Sequence, residues 1–316
     1  MENISESLKG YRLNFELKDV PVAFVNALRR IILSEIPTVV VTNVEILENT
    51  SSLIHEMLRH RIHMLPINVL PNEANVIRET KLELRVVAPT DAPREITTKD
   101  IVCSGPRSDI ILRDRDLDTD LVFMTLKAGE VIHFRANIEV QNQNVSQVCV
   151  STFKNHIDKA LADERKVDYV AKGGSEKVFD NFESQRLYST DENGRPNWFD
   201  FTIESIGVMK CKEILRIACE ILKDKVLEYV KGDILRHENK WFSIESVTEG
   251  HTLGYLAQTL IYNGGLVEFV SYNIPHPLLP KMVLRFQTTK SVEAEAVITR
   301  FKEQAVALCE TILKSL

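Results

Sequence analysis

The sequence predicts an α+β fold in which two modules, each made of helices packed on antiparallel sheets, pair within one chain. Residues 26–37 and residues 250–261 are both amphipathic helical runs, and a segment rich in β-branched residues follows each of them. From residue 67 onward, short alternating segments replace this helical pattern. The first module is therefore expected to be interrupted by a mainly β insertion domain.

The composition restricts the class of protein. A chain of 316 residues suits about two domains, and its five scattered cysteines without a Cys-x-x-Cys pair favour a reducing compartment. No apolar run resembles a secretory signal or a membrane span, so a soluble intracellular protein with no membrane partner is expected. The net charge of −6 disfavours a free-standing transcription factor that binds DNA directly.

The first module begins with a strand and a helix. Residues 11–17 alternate between apolar and polar side chains, as in a half-buried strand. Pro21 then opens a helix whose apolar stripe recurs at four-residue spacing, and Pro37 closes it. Residues 39–47 read as a strand, and residues 50–52 are expected to cap a second helix.

Four further segments complete this half of the chain. Residues 67–170 read as the β-rich insertion, and residues 171–197 hold enough glycine and polar residues to include a loop. A strand at residues 199–206 and a long helix at residues 210–231 follow. The first module is thus predicted to be discontinuous, comprising residues 1–66 and 171–235.

The second module, residues 236–316, is compact. Two strands at residues 265–274 and 281–287 are expected between a helix at residues 252–262 and a terminal helix at residues 291–316. The apolar stripe of the terminal helix comprises Val297, Phe301, Ala305, Leu308 and Ile312. So small a helix and sheet unit has a limited core, and it would gain stability by packing on another module.

Candidate chemistry is sparse, because no phosphate-binding loop and no dinucleotide fingerprint occurs. Asp114, Asp116, Asp118 and Asp120 could converge on a divalent cation, which would suit a metal-dependent nuclease or phosphotransferase. Thr119 stands where a calcium loop needs glycine, so a solvated acidic turn is the favoured interpretation.

Two groups of polar residues, three histidines and two arginines, are candidates for an interface with another protein. His55, His60 and His63 lack the spacing by which two imidazoles share one zinc ion, so they are interpreted as structural or interface residues. Arg29 and Arg30 are adjacent on the first helix, where a solvated face and a partner-binding face are equally good interpretations of the residues alone.

The residues resemble a known family. Asn-Ala-Leu-Arg-Arg-Ile-Ile-Leu-Ser-Glu-Ile-Pro at residues 26–37 and His-Arg-Ile-His-Met-Leu-Pro-Ile at residues 60–67 resemble the alpha-like subunits of multisubunit RNA polymerases. The likeness is closest to the third subunit of eukaryotic polymerase II and to its archaeal counterpart. It covers the dimerisation domain of that family, split by the insertion.

The second module resembles the eleventh subunit of the same enzymes and its archaeal counterpart. The likeness lies in Gly-His-Thr-Leu-Gly-Tyr-Leu at residues 250–256 and Tyr-Asn-Ile-Pro-His-Pro at residues 272–277. Setting Ala27 against Leu256 aligns the two helices, so that Asn26 matches Tyr255. Fusion of the two subunits in one chain resembles the arrangement in large cytoplasmic DNA viruses such as African swine fever virus. A viral protein would work in the host cytoplasm and virion, and a cellular one in the nucleus.

The resemblance implies a noncatalytic assembly scaffold for the largest and second-largest polymerase subunits, with nucleic acid reached only through the complex. Arg30, with Arg29, would contact the second-largest subunit, and His60 and Arg61 would lie near a small zinc-bearing subunit. No metal or cofactor is expected, because the insertion lacks the family's cysteine-rich loop. The implied dimerisation core consists of Phe24, Leu28, Ile31, Ile32, Leu253, Leu256, Leu260, Phe301 and Leu308.

Overall fold

A computed structural model describes residues 1–142, 149–289 and 292–316. The helices are α1 Val22–Ser34, α2 His55–His63, α3 Ala74–Glu79, α4 Lys159–Ala171, α5 Glu176–Val178, α6 Cys211–Tyr229, α7 His251–Asn263 and α8 Ala294–Ser315. The strands are β1 Glu2–Ser7, β2 Arg12–Lys18, β3 Thr38–Asn49, β4 Lys81–Val87, β5 Arg94–Thr97, β6 Val102–Ser104, β7 Val122–Leu126, β8 Val131–Gln141, β9 Cys149–Asn155, β10 Trp198–Ser205, β11 Ile234–Arg236, β12 Trp241–Ser246, β13 Val267–Asn273 and β14 Met282–Thr288. This mixture of helices and antiparallel strands is the predicted α+β class.

The chain divides into two compact units. The first comprises residues 1–32, 151–203 and 215–316, and the second comprises residues 33–150 and 204–214. The helices that were predicted to pair, α1 and α7, thus belong to one unit. No helix in the described ranges is long and apolar enough to cross a bilayer.

The first unit contains two four-stranded sheets, in the orders β1-β2-β10-β9 and β11-β12-β14-β13. Alternation in β2 buries Leu13, Phe15 and Leu17, as the sequence predicts. Phe15 stacks on Phe201 of β10 at 5.0 Å between ring centroids, which ties the two strands together. Helix α7 packs on strands β13 and β14 of the second sheet, and it also packs on helix α8.

The second unit is built on the antiparallel sheet β3-β8-β4-β6 and the pair β5-β7. Its core includes Val41, Leu84 and Phe134 from the larger sheet, with Leu58 and Ile62 from α2. Because β3 pairs with β8 along most of its length, residues 33–66 group with the insertion rather than with the first module.

At the other end of the insertion, β9 joins the sheet that contains β2 and β10. Residues 151–170 therefore group with the first unit, whereas the sequence suggested a boundary at residue 170. The secondary structure of this region also differs from the predicted mainly β insertion, because residues 159–171 form the helix α4. Asp158 caps that helix by accepting a hydrogen bond from the Leu161 amide at 3.1 Å.

Two helix starts also differ from expectation. Residues 50–52 do not cap α2, which begins at His55 without a side-chain cap; Ser51 instead closes a turn by donating from its amide and hydroxyl to Asn49 Oδ1. The terminal helix α8 begins at Ala294, and residue 291, where it was predicted to start, lies outside the described residues. Strand β1 was not predicted, because all six of its residues are polar or exposed.

Candidate functional site

The apolar stripe of α1 is completely buried. Phe24, Leu28, Ile31 and Ile32 are each 0% exposed. They recur at intervals of three and four residues, so one face of the helix carries them all. Burying side chains of this size contributes about 1.5–3 kcal/mol each. This apolar face of α1 is therefore part of the buried core.

The second module contributes α7 and α8 to the same unit. Leu253, Leu256 and Leu260 of α7 are at most 4% exposed, and Phe301 of α8 is 0% exposed. Leu308 is only half-buried, and Cys309 is fully buried in its place. Both positions flank the stripe of α8 at similar angles, so periodicity could not choose between them, although cysteine is among the most frequently buried residues.

A hydrogen bond joins α1 to α7. Arg30 Nε donates to Thr252 Oγ1 at 2.8 Å, and the Arg30 side chain is exposed. Arg29 is half-buried and folds onto its own helix, where it donates to Asn26 Oδ1. A cleft of about 150 Å³ opens beside Arg30 and is lined by residues of both helices, including Asn26 and Tyr255. The two adjacent arginines thus have different surroundings.

A larger groove, here named the seam groove, lies further along α7 and shares Tyr255 with this cleft. It has a volume of about 740 Å³. Its lining residues are Asp19, Val20, Pro21, Val22, Asp191, Arg195, Pro196, Asn197, Tyr255, Gln258, Thr259, Tyr262, Asn263, Glu268, Phe269 and Val270. Sequence reasoning missed this groove because its walls are far apart along the chain. The available signal was aromatic residues, such as Tyr255 and Tyr262, on the polar side of α7.

Helices α6 and α8 are also joined. The rings of Tyr229 and Phe301 meet edge to face at 6.4 Å, and Lys223 pairs with Glu310 at 3.2 Å. Burial raises the pKa of the Tyr229 hydroxyl above its ordinary value, and it raises the pKa of the Cys309 thiol to about 12. Both groups are therefore neutral at physiological pH. These residues stabilise the packing and offer no reactive group.

His60 and Arg61 lie on α2 in the second unit. His60 and Arg61 are both exposed, and Arg61 also donates from Nη2 to the carbonyl of Phe123 and lies 6.0 Å from the ring of that residue. The neighbouring His63 donates from Nδ1 to the carbonyl of Val41 at 2.6 Å. Arg61 and His63 therefore hold α2 in place, and His60 presents its ring to solvent.

The acidic stretch forms a turn that its own neighbours satisfy. Asp114 Oδ1 accepts hydrogen bonds from the amides of Asp116 and Leu117 at 2.9 and 2.7 Å. Arg113 pairs with Asp118 and with Asp120, each at 3.3 Å. Asp116 pairs with Arg115 at 3.2 Å. Since the carboxylates point to different partners, they do not form a set of ligands around one cation.

One group of described residues, Glu16, His156 and Asp200, has the ligand types and spacing for a metal ion. Their atoms are engaged within the group and around it: His156 Nδ1 donates to Asp200 Oδ1 at 2.6 Å, and Trp198 Nε1 donates to Glu16 Oε2 at 3.0 Å. Lys154 also lies 3.6 Å from Asp200 Oδ2. This arrangement is a hydrogen-bonded surface network that couples β2, β9 and β10.

Two family profiles match the chain. Both are described as the RNA polymerase Rpb3/Rpb11 dimerisation domain, one matching residues 14–226 and the other residues 242–315. The two matches follow one another along the chain, and they contain α1 and α7 respectively.

Individual relatives agree with these matches. The chain is 28% identical over 275 residues to the DNA-directed RNA polymerases I and III subunit rpac1 of Dictyostelium discoideum, covering 70% of this chain and 78% of that protein. It is 24% identical over 280 residues to subunit 3 of RNA polymerases II, IV and V of Arabidopsis thaliana, covering 69% and 87%. It is 25% identical over 247 residues to RNA polymerase subunit Rpo3 of Pyrococcus furiosus, covering 69% and 91%.

Proposed function

Because the chain belongs to the RNA polymerase Rpb3/Rpb11 dimerisation domain family, we propose that it is a noncatalytic assembly subunit of a DNA-dependent RNA polymerase. One observation carries the proposal: two dimerisation domains follow each other in the chain, and the helices α1, α7 and α8 lie in one compact unit. Two alpha-like halves would thus be paired intramolecularly. In this assignment residues 1–66 and 171–235 are third-subunit-like, and residues 236–316 are eleventh-subunit-like.

The proposed partners are the two large catalytic subunits. Arg30 would contact the second-largest subunit, which is supported by its exposed position and by the hydrogen bond to Thr252 that orients its guanidinium. Arg29 would act with it. A small zinc-bearing subunit would dock at α2, where the exposed His60 supports the proposal better than the anchored Arg61.

The fusion itself supports a viral origin as a finer proposal. Two subunits that are separate chains in cells would be joined here, as in large cytoplasmic DNA viruses. The protein would then act in viral factories of the host cytoplasm and be packaged in the virion; a cellular protein would act in the nucleus. Nucleic acid would be contacted only through the assembled polymerase, and no cofactor or bound metal is proposed.

Co-expression tests the function. The tagged full chain is produced together with the two largest polymerase subunits of the same source, and the complexes are isolated by affinity capture and gel filtration. The expected result is a stable complex with one copy of each subunit. Recovery of this chain without either large subunit, under conditions in which all three are soluble, would rule out the assembly role. A magnesium- or manganese-dependent nuclease activity lost in Asp116→Ala would instead support the enzymatic alternative.

A further inference from the structure

We infer that the seam groove is a docking site for a segment of one of the two large polymerase subunits, and that this segment presents a basic side chain next to an apolar one. The inference rests on the proposed function and adds to it the chemistry by which one partner is recognised. It follows from the composition of the groove walls, their exposed aromatic rings and their charge.

The groove is composite. Residues 19–22 and 191–197 come from the region matched by the first dimerisation domain, whereas Tyr255, Tyr262 and Phe269 come from the region matched by the second. The groove therefore exists only when both regions have packed together. A partner that binds there distinguishes the paired scaffold from either half alone.

Aromatic rings provide the apolar part of the surface. Tyr255, Tyr262 and Phe269 remain 40%, 54% and 47% exposed, and the ring of Trp241 lies 5.4 Å from that of Phe269 and supports it. Exposed aromatic side chains that converge on a concave surface are typical of protein-binding sites, because they bury large areas with little loss of side-chain entropy. The Arg195 guanidinium, 5.6 Å from the Tyr262 ring, shows that this surface accommodates a cation.

The charge of the walls selects a basic partner. Among the described residues that line the groove, three are acidic (Asp19, Asp191 and Glu268) and one is basic (Arg195). Asp19 accepts a hydrogen bond from the Asn197 amide group, and Asp191 accepts from the main-chain amides of Asn193 and Arg195. These donors orient the carboxylates without cancelling their charge. A lysine or arginine of a partner would cancel it, whereas nucleic-acid phosphates would be repelled.

The two paired helices differ at equivalent positions. When Ala27 is set against Leu256, Arg29 and Arg30 of α1 correspond to Gln258 and Thr259 of α7, both of which line the seam groove. The face of α1 therefore carries two cations where the face of α7 carries none. Two related surfaces that differ in charge suit two different partners.

Capture by the full chain tests the inference. Glu268→Lys and Tyr262→Ala are compared with wild type in co-expression with the large polymerase subunits, and Glu303→Lys on the exposed face of α8 serves as the charge-matched control. We expect each groove variant to weaken capture of one subunit by about tenfold or more, while the control captures it normally. Circular dichroism should show all the variants folded, because the altered residues are exposed.

A photocrosslinking residue in place of Tyr262 identifies the occupant. The expected product joins this position to a polymerase-subunit segment with a lysine or arginine beside an apolar residue. A product with an acidic segment, with nucleic acid or with a second copy of this chain would overturn the inference, as would full capture by both groove variants. If wild type itself captures no large subunit, the proposed function fails and the inference fails with it.

Discussion

At the scale of single residues, adjacent positions on one helix have separate tasks. Arg29 folds back onto Asn26, whereas Arg30 reaches across to Thr252 of the second module and keeps its side chain exposed. Two identical and adjacent side chains therefore have different contacts, since Arg29 bonds to its own helix and Arg30 links α1 to α7.

Replacing Arg30 by alanine should leave the chain folded and weaken capture of the second-largest subunit. The substitution removes contacts of an exposed side chain, including its hydrogen bond to Thr252, so the free energy of unfolding should change by only about 1 kcal/mol. Urea unfolding and affinity capture measure the two effects. Arg216→Ala, which breaks an exposed pair with Glu220 on α6, is the matched control and should capture normally. Equal capture by both variants would contradict the role of Arg30.

Replacing Leu253 by aspartate tests the internal pairing. Leu253 is 1% exposed, so the variant places a carboxylate in the core and should lose several kcal/mol of stability. Leu278→Asp is the control in the same module, because Leu278 is 85% exposed and should tolerate the charge within about 0.5 kcal/mol. Thermal unfolding of both variants gives the comparison, and a Leu253→Asp protein as stable as the control would exclude the proposed core.

At the scale of elements, α7 lies very close to β13. A Cβ atom at Gly254 would stand 2.6 Å from Cδ2 of Tyr272, closer than atoms can approach. Glycine within a helix ordinarily costs about 1 kcal/mol relative to alanine. Here that cost is outweighed by the close approach of helix and strand.

Gly254→Ala should therefore destabilise the protein by about 1–3 kcal/mol, against the usual effect of alanine in a helix. Combining it with Tyr272→Ala removes the clash. The double variant should be more stable than the sum of the two single substitutions predicts, and a double-mutant cycle by urea unfolding measures the coupling. Strict additivity of the two substitutions would show that Gly254 does not contact Tyr272.

Elements with a clear period could be predicted from the sequence, and elements defined by partners could not. The stripes of α1 and α7 were recognisable because burial repeats with the helical period, and Phe24 and Leu256 are indeed fully buried. Strand β1 was not recognisable, because it pairs with β2 as an exposed edge without an apolar face. The seam groove depends on tertiary packing of residues more than 200 positions apart, such as Asp19 and Tyr262, which no local pattern encodes.

At the scale of the whole molecule, the connection between the modules is short and exposed. Residues 231–233 are exposed and lie between α6 and β11. A protease site inserted there should be tolerated and cut without unfolding the chain. The two fragments should then elute together in gel filtration, because α1 and most of α6 on one fragment belong to the same compact unit as α7 and α8 on the other. Separation of the fragments at micromolar concentration would contradict a stable pairing, and the uncut insertion variant is the control.

The rate at which each cysteine thiol is alkylated should depend on how deeply the fold buries it. Cys103 is half-buried, whereas Cys149, Cys211, Cys219 and Cys309 are buried. Burial raises the pKa of Cys149 and Cys309 to about 12, so these thiols are neutral in the folded state and ionise near their ordinary pKa of about 9 when unfolded. Iodoacetamide at pH 8 should modify Cys103 well before the others, as mass spectrometry would reveal.

The same raised pKa values predict how stability depends on pH. A group with a higher pKa in the folded state loses its stabilising contribution as pH rises above its unfolded pKa. The free energy of unfolding should therefore fall between about pH 9 and pH 12. Cys309→Ala should reduce this slope, and urea unfolding at pH 8 and pH 10 would measure it. An unchanged slope would mean that the Cys309 thiol is already accessible to water.

The distance along the chain between α1 and α7 has a consequence for synthesis on the ribosome. α1 ends at Ser34 and α7 begins at His251. At about 5–20 residues per second, the intervening stretch takes roughly 10 to 45 s to translate. Throughout that time the nascent chain carries the apolar face of α1 without α7, the helix to which Arg30 donates a hydrogen bond in the finished fold. Correct folding therefore depends on keeping α1 from aggregating until α7 has been synthesised. A chaperone that shields α1 during elongation would raise the yield of folded protein.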